Sequence, residues 1–184
     1  MSGIHLTKGQ TAQVDLRDYD WLLEIGTWCF SNSGYAVHYY SDEAGRRKTH
    51  FMHRLITARA LGHAIPPGLQ VDHKNQDRLD NRMDNLRLAT GSQNQANKGT
   101  QINNTSLYKG VTCIQGKWEP RIHYASRRLH LGRFDDPVTA AFMYDAASRF
   151  LYGEFAGCNF PLIPTSQAIN SRLILLLLRY GLTS

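Results

Sequence analysis

Nothing in this 184-residue chain is apolar for long enough to cross a bilayer. A membrane helix needs roughly 18–20 such residues, and the C-terminal run Leu173-Ile174-Leu175-Leu176-Leu177-Leu178 ends after six. The opening segment, Met1 to Gln10, is too polar for a secretory signal peptide, so an intracellular protein is expected. Cysteine is scarce. Cys29, Cys113 and Cys158 lie far apart with no C-x-x-C, which argues against a disulfide framework or a zinc knuckle and predicts reduced, buried thiols. Acidic residues are missing altogether from residues 162–184.

A chain of this length is one large domain or two to three small ones. Its formal net charge of +6 is unevenly placed. Residues 1–50 hold 5 Lys/Arg against 6 Asp/Glu, whereas residues 51–104 hold 7 against 4 and residues 105–161 hold 7 against 5. Positive charge therefore begins after residue 50, which suits a polyanionic partner.

The most informative stretch is Leu69 to Lys98, LQVDHKNQDRLDNRMDNLRLATGSQNQANK. Val71 leads into the pair Asp72-His73. A run dense in Asn, Asp and Arg follows, and Asn94 and Asn97 close it. Leu79, Met83, Leu86 and Leu88 are apolar anchors between polar residues. So polar a segment is either a turn in which Asn and Asp bend and cap the backbone or a chemical site. These strings resemble the HNH nuclease motif, the ββα metal fold of phage and intron homing endonucleases. The matches are Asp72-His73, Asn85-Leu86-Arg87 and Asn94.

The resemblance implies double-stranded DNA as substrate, with His73 as general base, Asn85 orienting it, and Asp72 and Asn94 holding one Mg²⁺ or Mn²⁺. Asn97 is the alternative third ligand. Products would carry 5′ phosphate and 3′ hydroxyl. The residue types suit the reaction: a neutral His takes the proton of water near pH 7, and oxygen donors suit a hard cation better than structural zinc. Arg82 and Arg87 are candidate supports, as are His53 and Arg54, which occupy a position the phage family often fills with H-R. A His packed or hydrogen-bonded at a helix start is the other reading of His53.

Ahead of the motif, Ile4/Leu6 and Ala12/Val14 have the period-two spacing of short strands. Asp18 is a candidate cap for a helical turn through Ile25. Residues 34–40 and 46–52 read as partner strands around the Ser41–Gly45 turn. Trp21, Trp28, Phe30 and Tyr35 are expected in the core. A helix is expected from Met52 to Leu61, closed by Gly62. After Ile65-Pro66-Pro67-Gly68 breaks the chain, the strand carrying Asp72 follows, and residues 89–98 read as a helix capped by Thr90 or Ser92.

Residues 106–161 carry a second resemblance. Lys109-Gly110-Val111, Gly116-Lys117-Trp118, Leu131-Gly132-Arg133-Phe134, Ala140-Ala141, Tyr144-Asp145-Ala146-Ala147 and Asn159-Phe160 are similar to the APETALA2/ethylene-response-factor (AP2/ERF) DNA-binding domain. That family implies a three-stranded antiparallel sheet backed by one helix. It also implies DNA contacts at Lys109, Thr112, Lys117, Arg121, His123, Arg128 and His130. Several of these replace the family's Arg and Trp, which changes the expected target sequence. Residues 107–134 hold 6 Lys/Arg against one Glu, and a basic sheet can enter a major groove. Ser166 is expected to cap a last helix that either docks on the protein's own core or mediates dimerisation.

The expected fold class is α+β. Residues 1–98 form an HNH nuclease domain, with a β-rich part at 1–50 and the catalytic motif at 51–98. Residues 99–105 are a linker, 106–161 the AP2/ERF-type domain and 162–184 the C-terminal helix. The expected function is a site-specific DNA endonuclease, a monomer with no small-molecule cofactor and no membrane partner. It would act in the bacterial cytoplasm if phage-encoded. A DNA-binding transcriptional regulator with a silent nuclease fold is the alternative, and an RNA-directed nuclease a third reading.

Overall fold

The computed structural model describes residues 2–99 and 106–182, so most of the expected 99–105 linker lies outside the described residues. Among the described residues are five α-helices and four small antiparallel sheets, a mixed α and β fold. The chain divides into two compact units, residues 1–94 and 95–184, each with its own apolar core.

In the first unit, β1 (Ser2–His5) pairs with β2 (Thr11–Val14), and alternation turns Ile4, Ala12 and Val14 inward. Helix α1 (Leu16–Ile25) follows. Its N-cap position is Asp15, not Asp18. Asp15 instead turns its carboxylate to Met83 N (2.8 Å), while Asp18 sits inside the first turn, ion-paired to Arg59 at 3.3 Å. Strands β3 (Cys29–Phe30), β4 (Ala36–Ser41) and β5 (Arg47–Phe51) form a sheet in that order, and α2 (Met52–Leu61) ends on Gly62 in the left-handed conformation (φ 74°). Leu22, Trp28, Met52 and Ile56 are fully buried at the centre.

Next come β6 (Leu69–His73) and β7 (Leu86–Thr90), an antiparallel hairpin, then α3 (Gly91–Asn97). The helix starts two residues later than the polar pattern suggested because Ala89 and Thr90 complete the strand. Thr90 still organises its start. Gln93 N donates to Thr90 Oγ1 (3.3 Å), and Thr90 N donates to Gln93 Oε1 (2.8 Å), a reciprocal capping box.

The second unit is built on the sheet β10-β9-β8, from β8 (Val111–Ile114), β9 (Lys117–Tyr124) and β10 (Arg127–His130). Helix α4 (Pro137–Tyr152), capped by Asp136, lays Ala140, Met143, Tyr144 and Ala147 on it. Gly110 (φ 71°) must be glycine, because a Cβ there would meet the Tyr144 ring at 2.1 Å. Asp145, fully buried, accepts from Asn159 N (2.7 Å) and Phe160 N (2.8 Å), which anchors the segment after the helix. Helix α5 (Gln167–Arg179), capped by Ser166, buries Leu173 and Leu177 in this same core, so docking is the role its apolar face serves. Contrary to expectation, the three free cysteines are not buried: Cys113 is exposed and the other two are half-buried. Among the described residues no helix is long and apolar enough to cross a membrane.

Candidate functional site

Strand alternation sorts the hairpin into two faces. Val71 and Leu86 enter the core, and His73, opposite Leu86, ends that face. Gln70 and Asp72 point the other way, with Arg87 opposite Asp72. Both members of the Asp72-His73 pair are buried, at 5% exposure each. The Asp72 carboxylate accepts from Arg87 Nε (2.9 Å) and lies 2.8 Å from its Nη2. Asn94 Nδ2 donates to Gln70 Oε1, which brings Asn94 to the face that carries Asp72.

His73 is held from the loop between the strands. Its Nε2 lies 3.4 Å from Asn81 Oδ1, and Asn81 Nδ2 donates to Leu79 O at 3.1 Å. With the Asn81 amide oriented by Leu79, its oxygen faces the ring, so Nε2 carries the proton and Nδ1 the lone pair. Asn85, expected to orient His73, spends its side-chain hydrogen bonds elsewhere among the described residues. It accepts from Asn75 N (3.0 Å) and donates to Asp80 O (2.8 Å), fixing the loop from which Asn81 reaches the ring. The same loop is stitched to β2 through Gln13 N to Leu79 O and Asn81 N to Gln13 O, both 2.8 Å. Arg82 is occupied in the loop as well, gripping Asp80 at 2.6–2.7 Å. Its guanidinium holds the Asp80 carboxyl below the usual range. Much of the Asn/Asp density is therefore scaffolding, and Asn81 is the neighbour of His73 that the sequence reading missed.

His53, brought in by α2, packs edge-on against His73 with centroids 5.1 Å apart, and Tyr35 lies 4.9 Å from His53 and 6.0 Å from His73. Tyr35 thus belongs to the site and not to the apolar core. Arg78 covers its ring at 4.9 Å. Arg54 is exposed on the same helix. Burial lowers the pKa of His73, outweighing the opposing pull of Asn81 and nearby carboxylates, and takes that of His53 to about 3, helped by His73 and Arg54. Both rings are neutral at pH 7. His53 Nδ1 is buried with no hydrogen-bond partner among the described residues.

A stability effect follows. Between pH 6.5 and about 3 an unfolded His53 binds a proton that the folded one refuses, so stability is complete above 6.5 and falls as pH drops. The slope is about 1.4 kcal/mol per pH unit. Denaturant unfolding at pH 7 and pH 5 should show this decline, and His53→Phe should flatten it. An unchanged slope in the variant would remove His53 as the cause.

In the second unit the expected DNA contacts separate into three groups. Thr112, Lys117, His123 and Arg128 are exposed on the sheet, with Lys117 bonded to Asp135. Lys109 is not on that surface. Its ammonium donates to Ala96 O, and burial lowers its pKa to about 8. Arg121 and His130 do face outward but are engaged by Glu119. Asn97, the alternative metal ligand, is buried in this unit.

The antiparallel hairpin that ends on the buried Asp-His pair, and the helix after it, lie in the segment that known proteins match. The HNH endonuclease family profile matches residues 50–96. An uncharacterised HNH endonuclease of Acanthamoeba polyphaga mimivirus is 32% identical over 153 residues, 83% of this chain and 76% of that protein. The chain belongs to the HNH endonuclease family. Protein 3.8 of Escherichia phage T7 is 31% identical over 94 residues, 50% of this chain and 77% of the phage protein. Dehydration-responsive element-binding protein 2D of Arabidopsis thaliana is 45% identical over 67 residues, which cover 35% of this chain and 32% of the plant protein. The chain thus combines an HNH nuclease with an AP2-like segment.

Proposed function

We propose that this nuclease is a site-specific DNA endonuclease of the homing type, in which the hairpin site hydrolyses the phosphodiester and the AP2-like sheet selects the duplex. The observation that supports it most directly is the Asp72-His73 pair, with the ring kept neutral by burial and its tautomer set by Asn81. In that tautomer His73 Nδ1 takes the proton from the attacking water. Tyr35 and His53 pack beside the ring. Arg87 fixes the Asp72 carboxylate in place. An intracellular site of action and a monomeric state belong to the same proposal.

HNH nucleases use a divalent metal, and the donor set fits a hard one. The Asp72 carboxylate on the hairpin and the Asn94 amide on α3, bonded to Gln70 of the same hairpin face as Asp72, both offer oxygen to a metal. One or two protein ligands, with water and phosphate completing the shell, is the usual manner of holding Mg²⁺. When bound, the ion supplies charge neutralisation at the phosphate and the departing 3′ oxygen.

One observation favours the alternative of a DNA-binding regulator with a silent site: Arg87 already neutralises Asp72. A supercoiled plasmid pool carrying a randomised insert separates the two. With Mg²⁺ or Mn²⁺ the nuclease should nick or linearise members of the pool, and EDTA should abolish this. Full cleavage in EDTA would sink the metal assignment. A pool left intact in both cations would establish the regulator.

A further inference from the structure

The outward face of the second unit's sheet holds one acid among its cations. That acid, Glu119, is only 2% exposed. Its Oε2 accepts from Arg121 Nη2 at 2.6 Å and lies 3.1 Å from His130 Nε2, while its Oε1 accepts from Arg133 Nε at 2.7 Å. The cross-strand register accounts for two of these partners, since His130 stands opposite Arg121 and two residues along from Glu119's position.

Arg133 arrives by a different device. Leu131 N donates to Pro120 O, and Phe134 and Trp118 exchange both backbone hydrogen bonds. Three residue steps on one side therefore span two on the other, which is one extra residue, a bulge. Gly132 (φ 107°) absorbs it. Simple alternation from the buried Leu131 would turn Arg133 inward and Phe134 outward. The extra residue reverses both, so Phe134 is buried and Arg133 lies beside Glu119.

His130 is fully used. Nε2 donates to Glu119, and Nδ1 accepts from Gly132 N at 3.3 Å. The arginines are not. Arg121 spends only Nη2 and Arg133 only Nε, and among the described residues their side chains make no other hydrogen bond. Their side chains remain 28% and 58% exposed.

We propose that Glu119 is a positioning residue that locks Arg121 and Arg133 into a fixed pair of guanidinium forks, and that Arg133 joins Arg121 in reading the DNA. The matching chemistry is the paired acceptor edge of guanine, O6 and N7, which a planar guanidinium meets with two bonds. Holding both forks before binding removes the rotamer freedom that two long side chains would otherwise lose on docking. It also keeps them from wandering to phosphates, which carry no sequence information. The inference rests on the sheet being the DNA-reading face.

The test uses the full chain, a duplex enriched by the wild-type protein from a randomised pool, and a scrambled duplex of the same composition. Glu119→Gln should lower the ratio of affinities for the two duplexes by at least about tenfold, the effect of losing one bidentate base contact. Binding to the scrambled duplex should hold or tighten, with the salt slope steeper by about one, because a released arginine reaches phosphate. Arg133→Lys keeps the charge but not the fork. It should lose the same preference with an unchanged salt slope, and it carries the test alone if Glu119→Gln fails to fold. Equal changes on both duplexes would make Glu119 a merely structural or charge-balancing group and overturn the inference. So would Arg133→Lys retaining the wild-type preference. If the wild type enriches no duplex and Arg128→Ala leaves its DNA affinity unchanged, the sheet is not the reader, and the inference falls with that reading.

Discussion

Replacing His73 by alanine is expected to slow single-turnover cleavage by roughly two to four orders of magnitude, the range for a general base. DNA affinity should barely change. Burial keeps the ring neutral, so its removal takes no positive charge from the DNA interface. The measurement is cleavage of a labelled cognate duplex at saturating protein, with binding read separately in EDTA. Near-normal rates would move the base elsewhere, and His53 is next in line, since its ring lies 5.1 Å away. Asn81→Ala offers a graded companion: the imidazole stays, but the group that sets its tautomer is gone. Its loss should be smaller than that of His73→Ala.

The second large effect concerns Asp72. Asp72→Ala should cut poorly, by at least about a hundredfold, since loss of even an outer-shell partner commonly costs 10- to 100-fold at a metal site. It should also lose stability, because Arg87, only 10% exposed at its side chain, is deprived of the carboxylate it grips. Breaking a buried pair from one side typically costs about 3–5 kcal/mol. The double variant Asp72→Ala/Arg87→Met separates the two roles. It should regain most of the stability and none of the cleavage. Cleavage that recovers together with stability would show that Asp72 only holds the fold. DNA affinity should survive in both variants, since reading is assigned to the other unit.

Within the polar stretch the chemistry was written in residue types, while the wiring was not. Asp72-His73 and Asn94 could be picked out because a phosphodiesterase has need of a base beside oxygen donors. That Asn85 fastens the loop while Asn81 holds the ring depends on which amide faces which backbone group, and the two residues are chemically identical. Lys109 shows the same limit in the other direction. Its lysine reads as a DNA contact until the Ala96 carbonyl claims it.

The sequence by itself determined the element types. Period-two runs, Gly62 after α2, the Ser166 cap and the small-residue face of α4 are local signals, and local backbone physics acts on them wherever the chain goes. Only the tertiary structure decided which polar groups meet. The loop stitched to β2 brings Asn81 onto His73, α2 sets His53 against the same ring, and a one-residue bulge at Gly132 turns Arg133 out to Glu119. Each of these joins residues distant in sequence or reverses a simple alternation. The physical reason is that burial and hydrogen bonding are settled between segments and not within any one of them.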